Sequence, residues 1–281
     1  MSLNKYTTYI KGNYPIILCS PHGGLINVKP IPTRDNHIPC KKLNNKCHEN
    51  FLSFVTQNDG PMTEIAHYIF ANISSLTCKM PYLIVNNVER KDIDINREKN
   101  IGAETNLAKQ IWDDYYNTID SAIQDAFKKF GKKNVILIDL HSYGKRPTNN
   151  RNIICLGYGL KTHTLIKKKY SNDDLKKFSL KKISTNINKF LYGEKSLGNF
   201  ISNQDLNVFP SPKFNKIKNI NNFLNYSGGH CIKKYRDIIP CIQIELPEHY
   251  TKRNNIYEVS KKLASSIVLF LYSINNIPFK C

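Results

Sequence analysis

The sequence has no long hydrophobic run. In 281 residues the longest uninterrupted apolar stretch is Ile267–Tyr272, whereas a membrane-spanning helix needs about 20 consecutive apolar residues. The first 15 residues also lack the apolar core of a signal peptide. We therefore expect a protein that has no membrane segment and resides in the cytoplasm.

Paired cysteine motifs are also absent. None of the eight cysteines belongs to a CxxC motif, and their spacing is irregular. A chain of this length forms a core without disulfides, so we expect free thiols in a reducing compartment. One local group, His37, Cys40, Cys47 and His48, could hold a structural zinc ion, although its spacing fits no standard zinc finger.

Acidic residues are few relative to basic ones. The 22 Asp and Glu residues against 41 Lys and Arg give a formal net charge of +19, which suits a polyanionic partner. The lysines are scattered, however, and the densest stretch, residues 161–189, has few of the aromatic residues that nucleic-acid sites place between their charges. A solvated basic surface is the favoured interpretation, and nucleic acid is a disfavoured partner.

The apolar residues that are present predict a layered α/β protein. Five short β-branched segments, bounded by polar or turn residues, indicate strands buried on both faces, as in a mainly parallel sheet. Between them, apolar residues spaced about 3.6 apart predict amphipathic helices. The predicted strands are Pro15–Ser20, Tyr82–Val88, Asn134–Leu140, Asn152–Leu156 and Ile238–Leu246. The predicted helices are Met62–Leu76, Thr105–Phe130 and Asn255–Tyr272.

The chain shows no internal repeat and no clear domain boundary. We expect one domain over residues 1–281, with a basic, Lys- and Asn-rich insert around residues 161–225. The insert is less periodic than the rest, which indicates a helical or partly loose excursion.

Polar residues follow four of the predicted strands. His22, His141, the Asn96-Arg97 pair and Glu245 each stand at or after a strand end, and ligands of open α/β sheets bind outside the carboxyl ends of the strands. If the strands are parallel neighbours, these side chains converge.

Each candidate has an ordinary structural alternative. The two histidines could be hydrogen-bonded loop residues or metal ligands, because neutral imidazole is the usual zinc ligand. Asp59 could cap the following helix or ligate a metal. Glu245, in an otherwise apolar run, could pair with a buried arginine or act as a general base.

The two arginines after the second predicted strand have the same two interpretations. Arg90 and Arg97 could be surface charges. Arg97, which follows the alternating stretch 92–96, is better placed to bind a substrate carboxylate in a bidentate manner.

Five short motifs in a fixed order resemble those of the N-formylglutamate amidohydrolase family, which is structurally related to the zinc carboxypeptidases. They span residues 15–250, nearly the whole chain. The motifs are Pro21-His22-Gly23-Gly24, Glu89-Arg90…Asp94-Ile95-Asn96-Arg97, Asp139-Leu140-His141-Ser142, Tyr226-Ser227-Gly228-Gly229 and Gln243-Ile244-Glu245-Leu246.

The resemblance implies a zinc-dependent amidohydrolase with a mixed, largely parallel central sheet flanked by helices. It assigns one zinc ion to His22, His141 and an acidic ligand, for which Asp59 is the best match and Glu64 or Glu49 are competitors. The expected substrate is a small anionic amide, N-formylglutamate or another N-acyl amino acid.

The resemblance also assigns roles in catalysis and substrate binding. Glu245 would act as the general base for the metal-bound water that attacks the amide, and Arg90 would polarise the scissile carbonyl. The residues implied in substrate binding are Asn96, Arg97, Ser142, Tyr226, Gly228 and Gly229. Two alternatives stay open, which are a related zinc peptidase or cell-wall amidase and a catalytically inactive basic binding protein. The acyl group and the oligomeric state are open as well.

Overall fold

A computed structural model describes residues 5–34, 56–144, 152–214 and 226–275. The group of His37, Cys40, Cys47 and His48 lies outside the described residues, and so does Glu49.

The core of the protein is a mixed sheet whose central strands are parallel. The strands are β1 (Thr7–Ile10), β2 (Ile16–Ser20), β3 (Tyr82–Asn86), β4 (Ile136–Tyr143), β5 (Ile154–Gly157), β6 (Val208–Phe209) and β7 (Cys241–Pro247). Their order in the sheet is β1-β3-β2-β4-β7-β5-β6. Strands β3, β2, β4 and β7 run parallel to one another, whereas β1 and β5 pair in antiparallel fashion with β3 and β7, and β6 is parallel to β5.

Helices cover both faces of this sheet. Helices α1 and α9 pack together on one face and α3 lies on the other. The helices are α1 (Met62–Thr77), α2 (Lys99–Gly102), α3 (Asn106–Phe130), α4 (Thr162–Lys167), α5 (Asn172–Lys177), α6 (Ile187–Tyr192), α7 (Leu197–Ser202), α8 (His230–Tyr235) and α9 (Ile256–Asn275).

The packing of strand β2 explains why its sequence is apolar up to the terminal Ser20. Ile16 and Leu18 belong to the core beneath α1 and α9, whereas Ile17 and Cys19 belong to the core beneath α3. Successive side chains of a strand point to opposite faces, so a strand covered on both faces buries every residue. The α/β class and the mixed, largely parallel sheet predicted from the sequence are confirmed.

The described part of the basic insert is better ordered than its composition indicates. Residues 161–214 form helices α4 to α7 and the short strand β6, which extends the sheet beside β5. Apolar side chains from this stretch, such as Phe178, Leu191 and Ile201, are fully or almost fully buried in the core. The described part of the insert is therefore helical, which is one of the two forms expected for it, and it packs into the core, whereas strand β6 was not predicted.

Two further expectations can be compared with the structure. Cys19, Cys155, Cys231 and Cys241 are free thiols as expected, but Cys78, just after α1, is disulfide-bonded, so the expectation of free thiols is wrong there. Among the described residues, no helix combines the length and apolar character needed to cross a membrane.

Candidate metal centre

The carboxyl ends of the parallel strands bring His22, Asp59 and His141 together. His22 lies in the loop after β2, Asp59 precedes α1, and His141 lies within β4. The imidazole Nδ1 atoms of His22 and His141 are 3.4 Å and 3.0 Å from the same oxygen, Asp59 Oδ2. All three side chains are buried, and their potential ligand atoms lie within 4.8 Å of one another.

A clamp between two loops sets the position of this group. The backbone N–H of Gly23 donates to Asn58 Oδ1 at 2.8 Å, and Asn58 Nδ2 donates to the carbonyl of Gly24 at 2.7 Å. Gly23 has a φ of +118°, and a Cβ atom there would lie 2.8 Å from the backbone nitrogen of Thr63. Only glycine tolerates both conditions, so the turn after β2 can fold tightly against the start of α1.

Asp59 is not the cap of α1, although the sequence allowed that interpretation. Helix α1 has its N-cap at Pro61, with no side-chain hydrogen bond. Instead, Asp59 Oδ2 accepts a hydrogen bond from the Ser142 N–H at 3.2 Å, and the Ser142 hydroxyl donates to the Asp59 carbonyl at 2.6 Å. The carboxylate is thus fixed in place toward the two imidazoles.

The outer nitrogens of both imidazoles are held by carboxylates. His22 Nε2 is 2.8 Å from Asp94 Oδ1, and His141 Nε2 is 3.1 Å from Asp139 Oδ2. An imidazole that donates its outer N–H to a carboxylate presents the lone pair of its other nitrogen, and metal-binding histidines are usually held in this way. Both aspartates stand within the motifs named above, but the sequence alone does not predict this role for them.

The ionisation of the group reflects its crowded charges. Burial would raise the pKa of Asp59, but the two imidazoles outweigh it and hold that pKa well below its usual range. Burial would lower the pKa of His141, but Asp139 and Asp59 together raise it. The low pKa of Asp59 and the raised pKa of His141 favour an ionised carboxylate beside a protonated imidazole, and a metal ion bound there would replace that proton.

The donor set fits a zinc ion. Two imidazole nitrogens and one carboxylate oxygen are a standard set for a catalytic zinc, which leaves one position open. Tetrahedral ligands with bonds of about 2.0–2.1 Å lie roughly 3.4 Å apart, and the two nitrogen-to-oxygen distances to Asp59 Oδ2 are close to this value. Of the two competing carboxylates, Glu64 is exposed on α1, and Glu49 lies outside the described residues.

Glu245 lies beside this group on the neighbouring strand. It pairs in register with His141 across β4 and β7 and is only 5% exposed. The alternative of a salt bridge with a buried arginine is not what the structure shows, because no described arginine forms an ion pair with Glu245. Burial raises its pKa to about 8; His141 and Arg90 oppose this increase, whereas Asp59 adds to it.

Arg90 is part of the centre rather than a surface charge. Its guanidinium donates to Asp59 Oδ1 at 3.0 Å and to Asp94 Oδ2 at 3.3 Å, and its side chain is 12% exposed. It therefore bridges the carboxylate beside the imidazoles and the carboxylate that orients His22. Burial would raise the pKa of Asp94, but His22 and the neighbouring arginines keep it far below its usual range.

A cleft of about 930 Å³ opens beside this group. Asp59, His141, Glu245 and Arg90 line it, whereas His22 is fully buried behind them. All six residues expected to bind substrate also line it. They are Asn96, Arg97, Ser142, Tyr226, Gly228 and Gly229.

Some of these six residues have structural contacts that account for their positions. Asn96 Oδ1 accepts a hydrogen bond of 2.6 Å from the backbone of His230, and a Cβ atom at Gly229 would lie 2.0 Å from that oxygen. Tyr226 stacks on Tyr143 with ring centroids 5.1 Å apart. Ser142 holds Asp59, as described above, so its hydroxyl is already engaged.

Arg97 is the most exposed of the six residues expected to bind substrate. Its side chain is 48% exposed, and its Nε atom is 3.6 Å from Asp94 Oδ2. Together with Lys233 and His230 it forms what we call the rim, a set of nitrogen-bearing side chains along the cleft. The rim therefore offers cationic groups to an anionic part of a ligand.

A mainly parallel α/β sheet with two imidazoles and a carboxylate at its carboxyl edge defines the architecture. The fold is shared with N-formylglutamate amidohydrolase from Ralstonia eutropha JMP134, with a TM-score of 0.54 over 96% of this chain and 99% of that one, at 12% sequence identity. A gene product of Agrobacterium tumefaciens has a TM-score of 0.50 and 10% identity, with 95% and 99% of the two chains covered. The sequence matches no protein-family model and no curated protein.

Proposed function

We propose that this protein is a zinc-dependent hydrolase that cleaves the amide bond of a small carboxylate-bearing substrate, such as N-formylglutamate or another N-acyl amino acid. The observation that carries the proposal is the convergence of His22 Nδ1, His141 Nδ1 and Asp59 Oδ2 at the cleft. The shared fold supports it, because one of the matching structures is an N-formylglutamate amidohydrolase.

These three side chains would hold the zinc ion, with their outer contacts fixing them in place. A zinc ion there would supply Lewis acidity and lower the pKa of water at its open position. Glu245, buried beside His141, would accept a proton from the attacking water at its carboxylate. It would then deliver that proton to the nitrogen of the leaving amine.

Arg90 and Arg97 would have different roles in the reaction. Arg90 holds Asp59 and lines the cleft, so its charge would stabilise negative charge that develops on the scissile carbonyl oxygen. Arg97, which is half-exposed at the rim, would bind the substrate carboxylate and fix the distance of the amide from Glu245. Asn96 would act chiefly by holding the backbone at His230.

The experiment is metal analysis of the untreated protein, followed by an activity screen. N-acyl amino acids, short peptides and a cell-wall amide are assayed as purified, after treatment with a chelator, and after zinc is restored. We expect about one zinc ion per chain and hydrolysis that chelation abolishes and zinc restores. If a peptide or the cell-wall amide were hydrolysed fastest, the protein would be a related zinc peptidase or amidase instead.

A binding protein without catalysis would give a different result. It would contain no stoichiometric metal and hydrolyse no substrate of the panel. Its affinity for nucleic acid would fall steeply with salt and would not respond to the chelator. That combination would overturn the proposed function.

A further inference from the structure

One polar side chain at the base of the cleft is available to a ligand. Gln243 is 2% exposed on strand β7 and lines the cleft, and its side-chain amide forms no hydrogen bond with another described residue, so its polar atoms reach only the cleft. A ligand that displaced water from this amide without forming hydrogen bonds to it would lose about 1–3 kcal/mol, so the amide favours a ligand that can form them.

The sheet directs this amide to a defined place. Gln243 and Glu245 are two residues apart on β7 and therefore face the same side, about 6–7 Å from each other along the strand. Gln243 lies between Asp139 on β4 and Gly157 on β5 in the strand register. Gln243 therefore lies about two residue lengths along the strand from the group that would act on the scissile bond.

Glycine on the neighbouring strand keeps the space around this amide open. A Cβ atom at Gly157 would lie 2.9 Å from Gln243 Oε1, 2.7 Å from the backbone nitrogen of Gly228 and 3.0 Å from the Tyr226 carbonyl. Any other residue at position 157 would displace these groups. The bottom of the cleft thus combines a side-chain amide with backbone polar atoms.

The charges near Gln243 distinguish among ligands. The carboxylate of Asp139, next to it in register, is fully buried and leaves its Oδ1 atom without a hydrogen-bond partner. The cationic side chains Arg97 and Lys233 lie at the exposed rim. A second carboxylate would therefore meet like charge and low solvation at Gln243, whereas a neutral group that both donates and accepts hydrogen bonds would meet neither penalty.

We propose that Gln243 is a specificity-determining residue that binds a second, uncharged amide group of the substrate. The inference rests on the proposed function and narrows its substrate class to acylated amino acids that carry another amide near the scissile bond. That amide comes either from a carboxamide side chain or from an adjoining peptide bond. The Gln243 amide pairs with it through one N–H···O and one O···H–N hydrogen bond.

The test compares substrates of similar length with the zinc-loaded enzyme. The side chain ends in a carboxamide in N-formylglutamine, in a carboxylate in N-formylglutamate and in an apolar group in N-formylmethionine. A fourth compound, N-formylmethionylglycine, carries its second amide in the backbone. We expect N-formylglutamine or the dipeptide to exceed N-formylmethionine at least tenfold in kcat/KM, because a site built for hydrogen bonds discriminates against a substrate that lacks them. If neither exceeds N-formylmethionine, or if N-formylglutamate is the best of the four, the inference is overturned.

The variants Gln243→Leu and Gln243→Asn test the residue itself. In Gln243→Leu, kcat/KM for the amide substrate and for N-formylmethionine should differ by no more than about threefold. Gln243→Asn should retain part of the preference for the amide substrate. An unchanged ratio in Gln243→Leu, in a variant that unfolds at the wild-type temperature, would overturn the role of Gln243.

A binding measurement separates this inference from the proposed function. Isothermal titration of the purified wild-type protein with glutamine, glutamate and methionine needs no turnover and no variant. Tighter binding of glutamine than of the other two, in a protein that hydrolyses no substrate, would retain the subsite and overturn the hydrolase. Hydrolysis without any preference for an amide, in the kinetics or in the titration, would retain the hydrolase and overturn the subsite.

Discussion

The centre of the cleft and its rim are built in opposite ways. At the centre, both ring nitrogens of His22 and of His141 contact a carboxylate, and every one of these groups is at most 5% exposed. At the rim, Arg97 is 48% exposed and its nearest carboxylate contact is 3.6 Å long. On the proposed function, the groups that would act on the scissile bond are fixed by rigid, mutually supporting contacts, whereas the substrate carboxylate would be bound at the rim by a side chain that can adjust.

The largest effect should come from removal of both imidazoles. The variant His22→Ala/His141→Ala would lose two of the three proposed ligands, so purified protein should contain no stoichiometric zinc and show no chelator-sensitive hydrolysis. Metal analysis after dialysis measures this directly. His67→Ala is the matched control, because that exposed imidazole bonds only to its own helix. Full zinc content in the double variant would place the metal elsewhere.

Replacement of Glu245 should separate catalysis from metal binding. Glutamine has nearly the shape of glutamate but cannot accept the proton, so Glu245→Gln should retain zinc and lose on the order of 10²–10⁴-fold in kcat. The measurement pairs kcat with zinc content on the same preparation. A variant as fast as the wild-type enzyme would remove Glu245 from the mechanism.

The same variant should change how stability depends on pH. In the metal-free folded protein burial raises the pKa of Glu245 to about 8, against an ordinary value of 4.5, although His141 and Arg90 favour its charged form. The folded state therefore binds an extra proton between these values, so this contribution to the free energy of unfolding falls as pH rises from 4.5 to about 8 and is fully lost above that. Glu245→Gln should escape the loss, with a relative gain of at most about 4 kcal/mol between pH 5 and pH 9.

Chemical denaturation of the metal-free proteins at both pH values tests this. The difference between variant and wild type cancels the titrating groups that do not interact with Glu245, and it includes the change at His141, whose pKa Glu245 helps to raise. Glu248→Gln removes a partly exposed carboxylate from the same cleft and is the control. An equal pH dependence for wild type and Glu245→Gln would show that Glu245 is already ionised at neutral pH.

The orienting carboxylates should have a moderate effect on the centre. Asp94→Asn and Asp139→Asn leave both ligating nitrogens in place but weaken the contacts to the imidazole Nε2 atoms, so zinc affinity should fall about 10–100-fold. Competition with a chromogenic chelator measures this without turnover. Asp92→Asn is a close control, since that buried carboxylate accepts a hydrogen bond from the Val28 N–H instead. Equal affinity in all three variants would mean that the contacts do not orient the ligands.

The pair Asp92 and Asp94 also shows what the sequence could and could not predict. The two residues flank Ile93 in an alternating stretch and are both fully buried, yet only Asp94 reaches an imidazole, 72 positions away along the chain. Which carboxylate orients His22 depends on three-dimensional packing that no local pattern encodes. The site positions of His22, His141 and Glu245 were predictable, because each lies at or near the carboxyl end of a strand.

The fold divides in a similar way. Strands β2, β3, β4, β5 and β7 were predicted because burial on both faces makes them apolar runs. Strand β1 was missed because it is an edge strand with one buried residue in its four, and β6 because it has two residues within a lysine-rich stretch. Their places in the sheet come from pairing with β3 and β5, which is a tertiary property.

The smallest effect is expected at the rim, and it tests whether the rim acts independently of the centre. Arg97→Ala should raise KM for a carboxylate-bearing substrate about fivefold and change kcat little. A half-exposed ion pair contributes only about 1 kcal/mol, and its loss should weaken binding in the ground and transition states alike. Zinc content should stay at the wild-type level. Lys233→Ala, at the same rim, gives the corresponding measurement for a side chain with no carboxylate contact within the described residues. A fall in kcat as large as that of Glu245→Gln would show that Arg97 positions the scissile bond itself, so that rim and centre act as one rigid unit.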